Sequence, residues 1–111
     1  MNASEIDAVI IPGGYAPDLM RVNDALVALV RDVFFKNKTV AAICHAGWVL
    51  VSAGALEGKT ATAVRNVRDD MRNAGCAFVD QAVVVDGNLV TSRVPKDLPV
   101  FMKAVIESIE N

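Results

Sequence analysis

Cys44 and His45, the chain's only histidine, stand side by side in the stretch VAAICHAGWVLVSAG, Val40 to Gly54. A thiol beside an imidazole can act as a nucleophile, because the histidine takes the thiol proton and leaves the reactive thiolate. The flanking residues fit that chemistry. A nucleophile elbow turns so sharply from strand to helix that only small side chains fit two residues before and two after the nucleophile. Ala42 and Ala46 occupy those positions. Such an elbow sets the sulfur over a helix N-terminus, where the helix dipole favours thiolate over thiol. The same string also describes a buried, inert cysteine followed by a solvated histidine, since cysteine is among the most often buried residue types. On pattern alone both readings stand.

The elements that would position this pair are legible as runs and breaks. Ala8 to Ile11 reads as a buried strand stopped by Pro12 and the Gly13-Gly14 turn. Pro17 suits the first turn of a helix, and Asp18 suits its positive end. Leu26, Leu29, Val30, Val33 and Phe34 recur at helical spacing, with Asn37 as the stop. Thr39 to Ile43 is an all-apolar strand of the kind buried on both faces of a parallel sheet. A helix from Ala46 to Ala53 ends at Gly54. A short strand over Thr60 to Ala63 precedes a helix over Val67 to Ala74, where Asp69 and Asp70 suit the helix start. The stretch AVVVDGNLVTS predicts a hairpin turning at Asp86-Gly87-Asn88. Pro95 opens a last amphipathic helix carrying Leu98, Phe101, Met102, Val105, Ile106 and Ile109. Alternating strands and helices predict an α/β fold with a mostly parallel sheet. Trp48 and Cys76 read as packing residues.

Composition narrows the possible functions. A chain of 111 residues forms one domain at most. Its net charge of −2 offers no basic stripe for nucleic-acid phosphates, so no nucleic-acid partner is expected. The longest apolar runs fall far short of the roughly 20 residues that span a bilayer. The opening MNASEID has neither a basic flank nor an apolar core, so neither export nor a membrane partner is expected. Two cysteines make no disulfide framework, and a reducing cytoplasm is the expected setting. One histidine and no metal-ligand spacing predict no metal, and the absence of G-x-G-x-x-G speaks against a dinucleotide. No cofactor is expected.

The segments VIIPGGYAPDLMR, VAAICHAGWVLVSAG, VRDDMRNAG, VVVDGNLVTSR and KDLP occur in the order and spacing of the PfpI family. These proteins are intracellular cysteine-peptidase-like and protein-deglycase-like. The resemblance runs from Ile6 to the C-terminus. It implies a doubly wound, flavodoxin-like sheet of the class I glutamine amidotransferase type. It also implies that Cys44 is the nucleophile and His45 its base. Asp18, in GGYAPDL, matches an acid that the family donates from a neighbouring subunit, so a homo-oligomer with a shared active site is implied. A carboxylate there would favour the imidazolium and thereby the thiolate. The backbone N–H groups of Gly14, in the Gly13-Gly14 turn, and of His45 are implied to form the oxyanion hole, where glycine allows close approach. Arg93 resembles a loop position near the active-site face.

One departure stands out. Relatives carry about sixty residues before the DAVIIPGG strand, including a first strand, a first helix and an acid that hydrogen-bonds the nucleophilic sulfur; this chain reaches that strand within a few residues of Met1. Residues 1–111 are therefore expected to form a single PfpI-like domain without that segment, a truncated doubly wound sheet with exposed apolar edges. The leading expectation is a cysteine hydrolase acting on peptides or on small carbonyl compounds and glycation adducts. A thiol sensor oxidised at Cys44 and a non-catalytic, self-associating or client-binding fragment are the alternatives.

Overall fold

The computed structural model describes residues 2–110; Met1, which opens the N-terminal stretch considered above, and Asn111 lie outside it. Four strands form the main sheet in the order β1-β2-β6-β5. β1 (Ala8–Ile11) runs parallel to β2 (Thr39–Ile43), which runs parallel to β6 (Leu89–Ser92). β5 (Val83–Asp86) closes the far edge as the antiparallel arm of the hairpin. All five residues of β2 are buried, as its unbroken apolar character requires of a strand with neighbours on both sides.

Helices cover both faces. α2 (Asp24–Phe35) and α3 (Gly47–Ala53) pack Val30, Val33, Val49 and Leu50 against Ile11, Val40, Ala42 and Leu89. α5 (Leu98–Glu110) packs Phe101 and Val105 against Ala41, Ile43 and Val90 on the opposite face. The alternation of Val40, Ala41, Ala42 and Ile43 between these two clusters is the two-residue period of a strand. α2 begins where the Asn23 side chain accepts a hydrogen bond from the Leu26 N–H at 3.1 Å. It ends before Asn37, whose φ of 63° is the left-handed conformation that breaks a helix.

Four expectations need correction. β1 is an edge strand, so only Ile11 is fully buried and Ile10 is 45% exposed. The strand expected over 60–63 is shorter: β3 (Thr60–Ala61) pairs in parallel with β4 (Ala77–Phe78) as a separate two-stranded sheet. Side chains join that sheet to the main one. Asp86 accepts a hydrogen bond from the Thr60 N–H at 2.7 Å, and Thr91 Oγ1 accepts one from the Thr62 N–H at 2.9 Å. The hairpin turn is made by Gly87 and Asn88 alone, since Asp86 pairs with Leu89 in the ladder. Finally, Pro95 opens a 3-10 turn before α5, and the apolar stripe of α5 is wider than the sheet can cover. Leu98, Met102, Ile106 and Ile109 remain exposed.

α1 (Ala16–Met20) carries Pro17 and Asp18 in its first turn, and α4 (Arg68–Asn73) carries Asp69 and Asp70 in its own. No helix among the described residues is long and apolar enough to cross a membrane.

Candidate active site

Cys44 stands at the carboxyl end of β2, where the chain leaves Ile43 and enters a 3-10 turn, Cys44–Ala46, that leads directly into α3. Its φ is 63°. A left-handed backbone costs an L-residue about 1–2 kcal/mol, and such strain persists only where the surroundings impose it. The surroundings do so here. Ala42 and Ala46 are buried on either side, and a Cβ built on Gly13 would lie 2.9 Å from the Cys44 Cβ. Gly13 therefore lies flush against the cysteine. Gly47 is a second close approach: a Cβ there would meet the Met71 sulfur at 2.8 Å and the Ala63 Cβ at 3.2 Å. The elbow thus needs small residues at Gly13 and Gly47 as well as at Ala42 and Ala46.

The Cys44 Sγ lies 3.4 Å from His45 Nδ1, and both residues are half-buried. The imidazole is tilted against the Trp48 ring at 5.2 Å. Trp48 is itself held, because its indole N–H donates to Asp70 at 2.8 Å and the Arg21 guanidinium lies over the ring at 5.6 Å. Trp48 is thus more than packing. It touches the core with one part and borders the reactive pair with another. The signal was available: residues three apart on a helical turn share a face, and His45 and Trp48 are so spaced. Asp70 likewise does more than start a helix.

A cavity of about 550 Å³ opens above the pair, lined by Gly14, Tyr15, Asp18, Cys44, His45, Trp48 and Pro95. Asp18 therefore shares the cavity with His45 within one chain. No hydrogen bond or ion pair joins the two among the described residues. On the other side of Cys44 a cleft of about 340 Å³ is almost wholly apolar, bounded by Ile10, Ile43, Leu98, Phe101 and Met102. Neither Tyr15 nor Pro95, read from the sequence only as a helix opener, carries a local mark of a site, since an exposed tyrosine and a proline are common at turns.

Cys76 behaves differently. It is buried, and burial pushes its thiol pKa up, so it stays protonated and unreactive. Arg93 sits at the carboxyl end of β6, the same end of the sheet as Cys44, but it faces a neighbouring cavity. Its guanidinium donates to Asp97 at 3.0 and 3.2 Å and to Asp80 at 2.9 Å. Asp97 first and Asp80 second push the arginine pKa up, while the Arg93 hydrogen bonds hold the Asp97 carboxyl below the usual carboxylate range.

A flavodoxin-like sheet with a strained cysteine on a strand-to-helix elbow, at the carboxyl ends of parallel strands, defines a class of α/β protein. The particular family follows from comparison. The DJ-1/PfpI family profile matches residues 1–108, and the chain belongs to that family. It is 44% identical over 110 residues to the Deglycase PfpI of Pyrococcus furiosus, covering 99% of this chain and 66% of that protein. It is 44% identical over 107 residues to the Protein/nucleic acid deglycase 2 of Escherichia coli, covering 96% of this chain and 62% of that protein. The chain thus spans just under two thirds of the length of these relatives. Among solved structures, a two-domain protein from Anabaena variabilis with DJ-1/ThiJ/PfpI-like and ferritin-like domains superposes with a TM-score of 0.97 at 47% identity, covering 99% of this chain and 32% of that one. Schizosaccharomyces pombe DJ-1 superposes with a TM-score of 0.85 at 26% identity, covering 96% of this chain and 59% of that one.

Proposed function

We propose that this chain is a single PfpI-like unit and that Cys44 is the nucleophile of a cysteine hydrolase of the deglycase or intracellular-peptidase type. The observation that carries the reading is the left-handed Cys44 backbone at the end of β2 with its sulfur 3.4 Å from His45 Nδ1. In this reading His45 Nδ1 takes the thiol proton. The thiolate then attacks a carbonyl carbon, and the negative charge moves to the carbonyl oxygen. That oxygen is met by the backbone N–H groups of Gly14 and His45, acting as preorganised donors. In an amide substrate, collapse of this tetrahedral adduct expels the amine, protonated by His45, and leaves a thioester, which water cleaves to a carboxylic acid and the free thiol. The names of the relatives favour glycation adducts of small carbonyl compounds as substrates over peptides.

Asp18 lines the His45 cavity of its own chain without bonding to the imidazole among the described residues, so in this reading the acid that orients His45 is the Asp18 of a neighbouring copy in a homo-oligomer. Tyr15, Leu19 and Val22, which are 90%, 71% and 76% exposed, surround Asp18 with apolar surface suited to such a copy. Two free cysteines suit a reducing cytoplasm.

The test is turnover of a methylglyoxal-derived adduct and of a peptide, together with alkylation by iodoacetamide at about pH 6, where only an activated thiol reacts readily. Cys44 should label well before Cys76. Cys44→Ser should abolish turnover, and Asp18→Ala should lower it with the fold intact. Equal labelling of the two cysteines, or full turnover by Cys44→Ser, refutes the reading. A folded monomer in light scattering at micromolar concentration refutes the shared site.

A further inference from the structure

The cavity next to the cysteine site, about 480 Å³, collects an unusual charge for a protein whose net charge is −2. Arg65, Arg68, Arg72, Arg93 and Lys96 all line it, against a single lining carboxylate, Asp80. The ion pairs among the described residues engage two of those cations: Arg93 with Asp80 and Asp97, and Arg68 with Asp69 at 3.4 Å. Arg65, Arg72 and Lys96 take part in none of them. Like charges gathered on one concave wall repel each other, and their summed field attracts an anion.

The wall is also ordered. Arg93 is clamped by both oxygens of Asp97 and by Asp80, and Arg72 lies over the Phe78 ring at 6.0 Å. Arg93 spends its Nε and Nη2 donors on Asp97 and an Nη1 donor on Asp80, so it orders the wall, while Arg65 and Arg72, outside every ion pair among the described residues, carry the planar forks that match phosphate oxygens. Phe78 and Val94 add apolar surface to the same cavity. Its volume lies in the range of small-molecule pockets, larger than a bare anion needs.

Position ties it to Cys44. The Val64 N–H donates to the Cys44 carbonyl at 3.4 Å, and Val64 lines the cationic cavity. Pro95 borders the cavity above Cys44, while its neighbours Val94 and Lys96 border the cationic one. Both open at the carboxyl ends of parallel strands, where α/β sheets receive ligands.

We propose that this cavity is a phosphoryl-binding site, built from Arg65, Arg68, Arg72 and Lys96 around the clamped Arg93. The shared chemistry is a phosphate-monoester or inorganic-phosphate dianion. It can come as free phosphate or as the phosphoryl group of a small carbonyl substrate handled at Cys44; only the second source rests on the hydrolase reading.

Calorimetric titration of the full chain with inorganic phosphate, against chloride at matched ionic strength, tests the site. Saturable binding to one site is expected. The double variant R65Q/R72Q, and separately K96Q, remove charge from exposed positions. The double variant should weaken binding about tenfold or more, since hydrogen bonds to charged groups are strong. No saturable phosphate binding, equal affinity in R65Q/R72Q with K96Q also unchanged, or binding of an oligonucleotide without any response to phosphate overturns the proposal. Turnover of the amine adduct of a triose phosphate beside that of the unphosphorylated triose separates the sources. A KM raised by R65Q/R72Q for the phosphorylated compound alone supports the substrate source; phosphate binding with unaltered KM values supports free phosphate. If neither adduct is turned over, the hydrolase reading loses its support, while the titration decides the phosphate site independently.

Discussion

Replacing Cys44 by glycine should leave a more stable protein than replacing it by alanine, the reverse of the usual order. The φ of 63° at this position is a conformation that glycine adopts freely and alanine does not. An L-residue is penalised there by about 1–2 kcal/mol. Against that stands glycine's larger loss of backbone freedom on folding, about 0.5–1 kcal/mol. The difference leaves Cys44→Gly ahead of Cys44→Ala by roughly 0.5–1 kcal/mol. Both variants lack the thiol, so loss of the Sγ–His45 contact cancels in the comparison. Equilibrium urea denaturation of the two, fitted with a common slope, reads the difference directly, and a shift of a few degrees in Tm should accompany it. Should Cys44→Ala equal or exceed Cys44→Gly in stability, the elbow stores no backbone strain at Cys44, and the reasoning that places an imposed conformation at the site fails.

Gly13→Ala should cost about 1–3 kcal/mol by overpacking and slow alkylation of Cys44, because its Cβ would sit 2.9 Å from the Cys44 Cβ. Gly14→Ala, at φ +75° with no atom near its Cβ, should lose about 1 kcal/mol from strain alone and leave alkylation unchanged; equal effects on alkylation would contradict the close approach. The Asp97 carboxyl has its folded pKa lowered by Arg93, so its contribution is present at neutral pH and is lost as pH falls through the folded value. Asp97→Asn should therefore lower the urea midpoint at neutral pH, with the gap to the parent closing on acidification below about 3.9; a gap that does not depend on pH rules out the charge as the cause. Thr62 is 1% exposed and its hydroxyl has no hydrogen-bond partner among the described residues. Thr62→Val should raise stability by up to about 1 kcal/mol, and a loss of that size in urea denaturation would point to an unseen partner.

The two cavities flanking Cys44 differ in character, and the difference bears on chemistry. The one containing His45 and Asp18 offers groups that move or hold protons. The other is apolar and continues the exposed surface of Ile10, Leu98 and Met102. The thiol lies at their junction, lining both. The cationic cavity lies one strand further along the same end of the sheet.

Local sequence carried the α/β class and the order of apolar and amphipathic segments, and it admitted the elbow alongside a buried, inert cysteine. Each depends on local periodicity or on residue types within a few positions. The apolar run Val40–Ile43 demanded burial on both faces, and Ala42 and Ala46 marked the sharp turn around Cys44. Asn37 and Gly54 ended their helices through left-handed backbone that their side chains tolerate. Tertiary structure alone decided the rest. A four-residue strand looks the same at the centre of a sheet or at its edge, so the exposure of Ile10 depends on which neighbours pair with β1. The helical period of α5 shows an apolar stripe, but the area of sheet beneath it decides that Phe101 and Val105 are buried while Ile106 is not. Gly13 against Cys44, and five cations from two chain segments, 65–72 and 93–96, around one cavity, are contacts between residues far apart in the chain. No local pattern encodes such contacts, because they come into being only when the strands align their carboxyl ends.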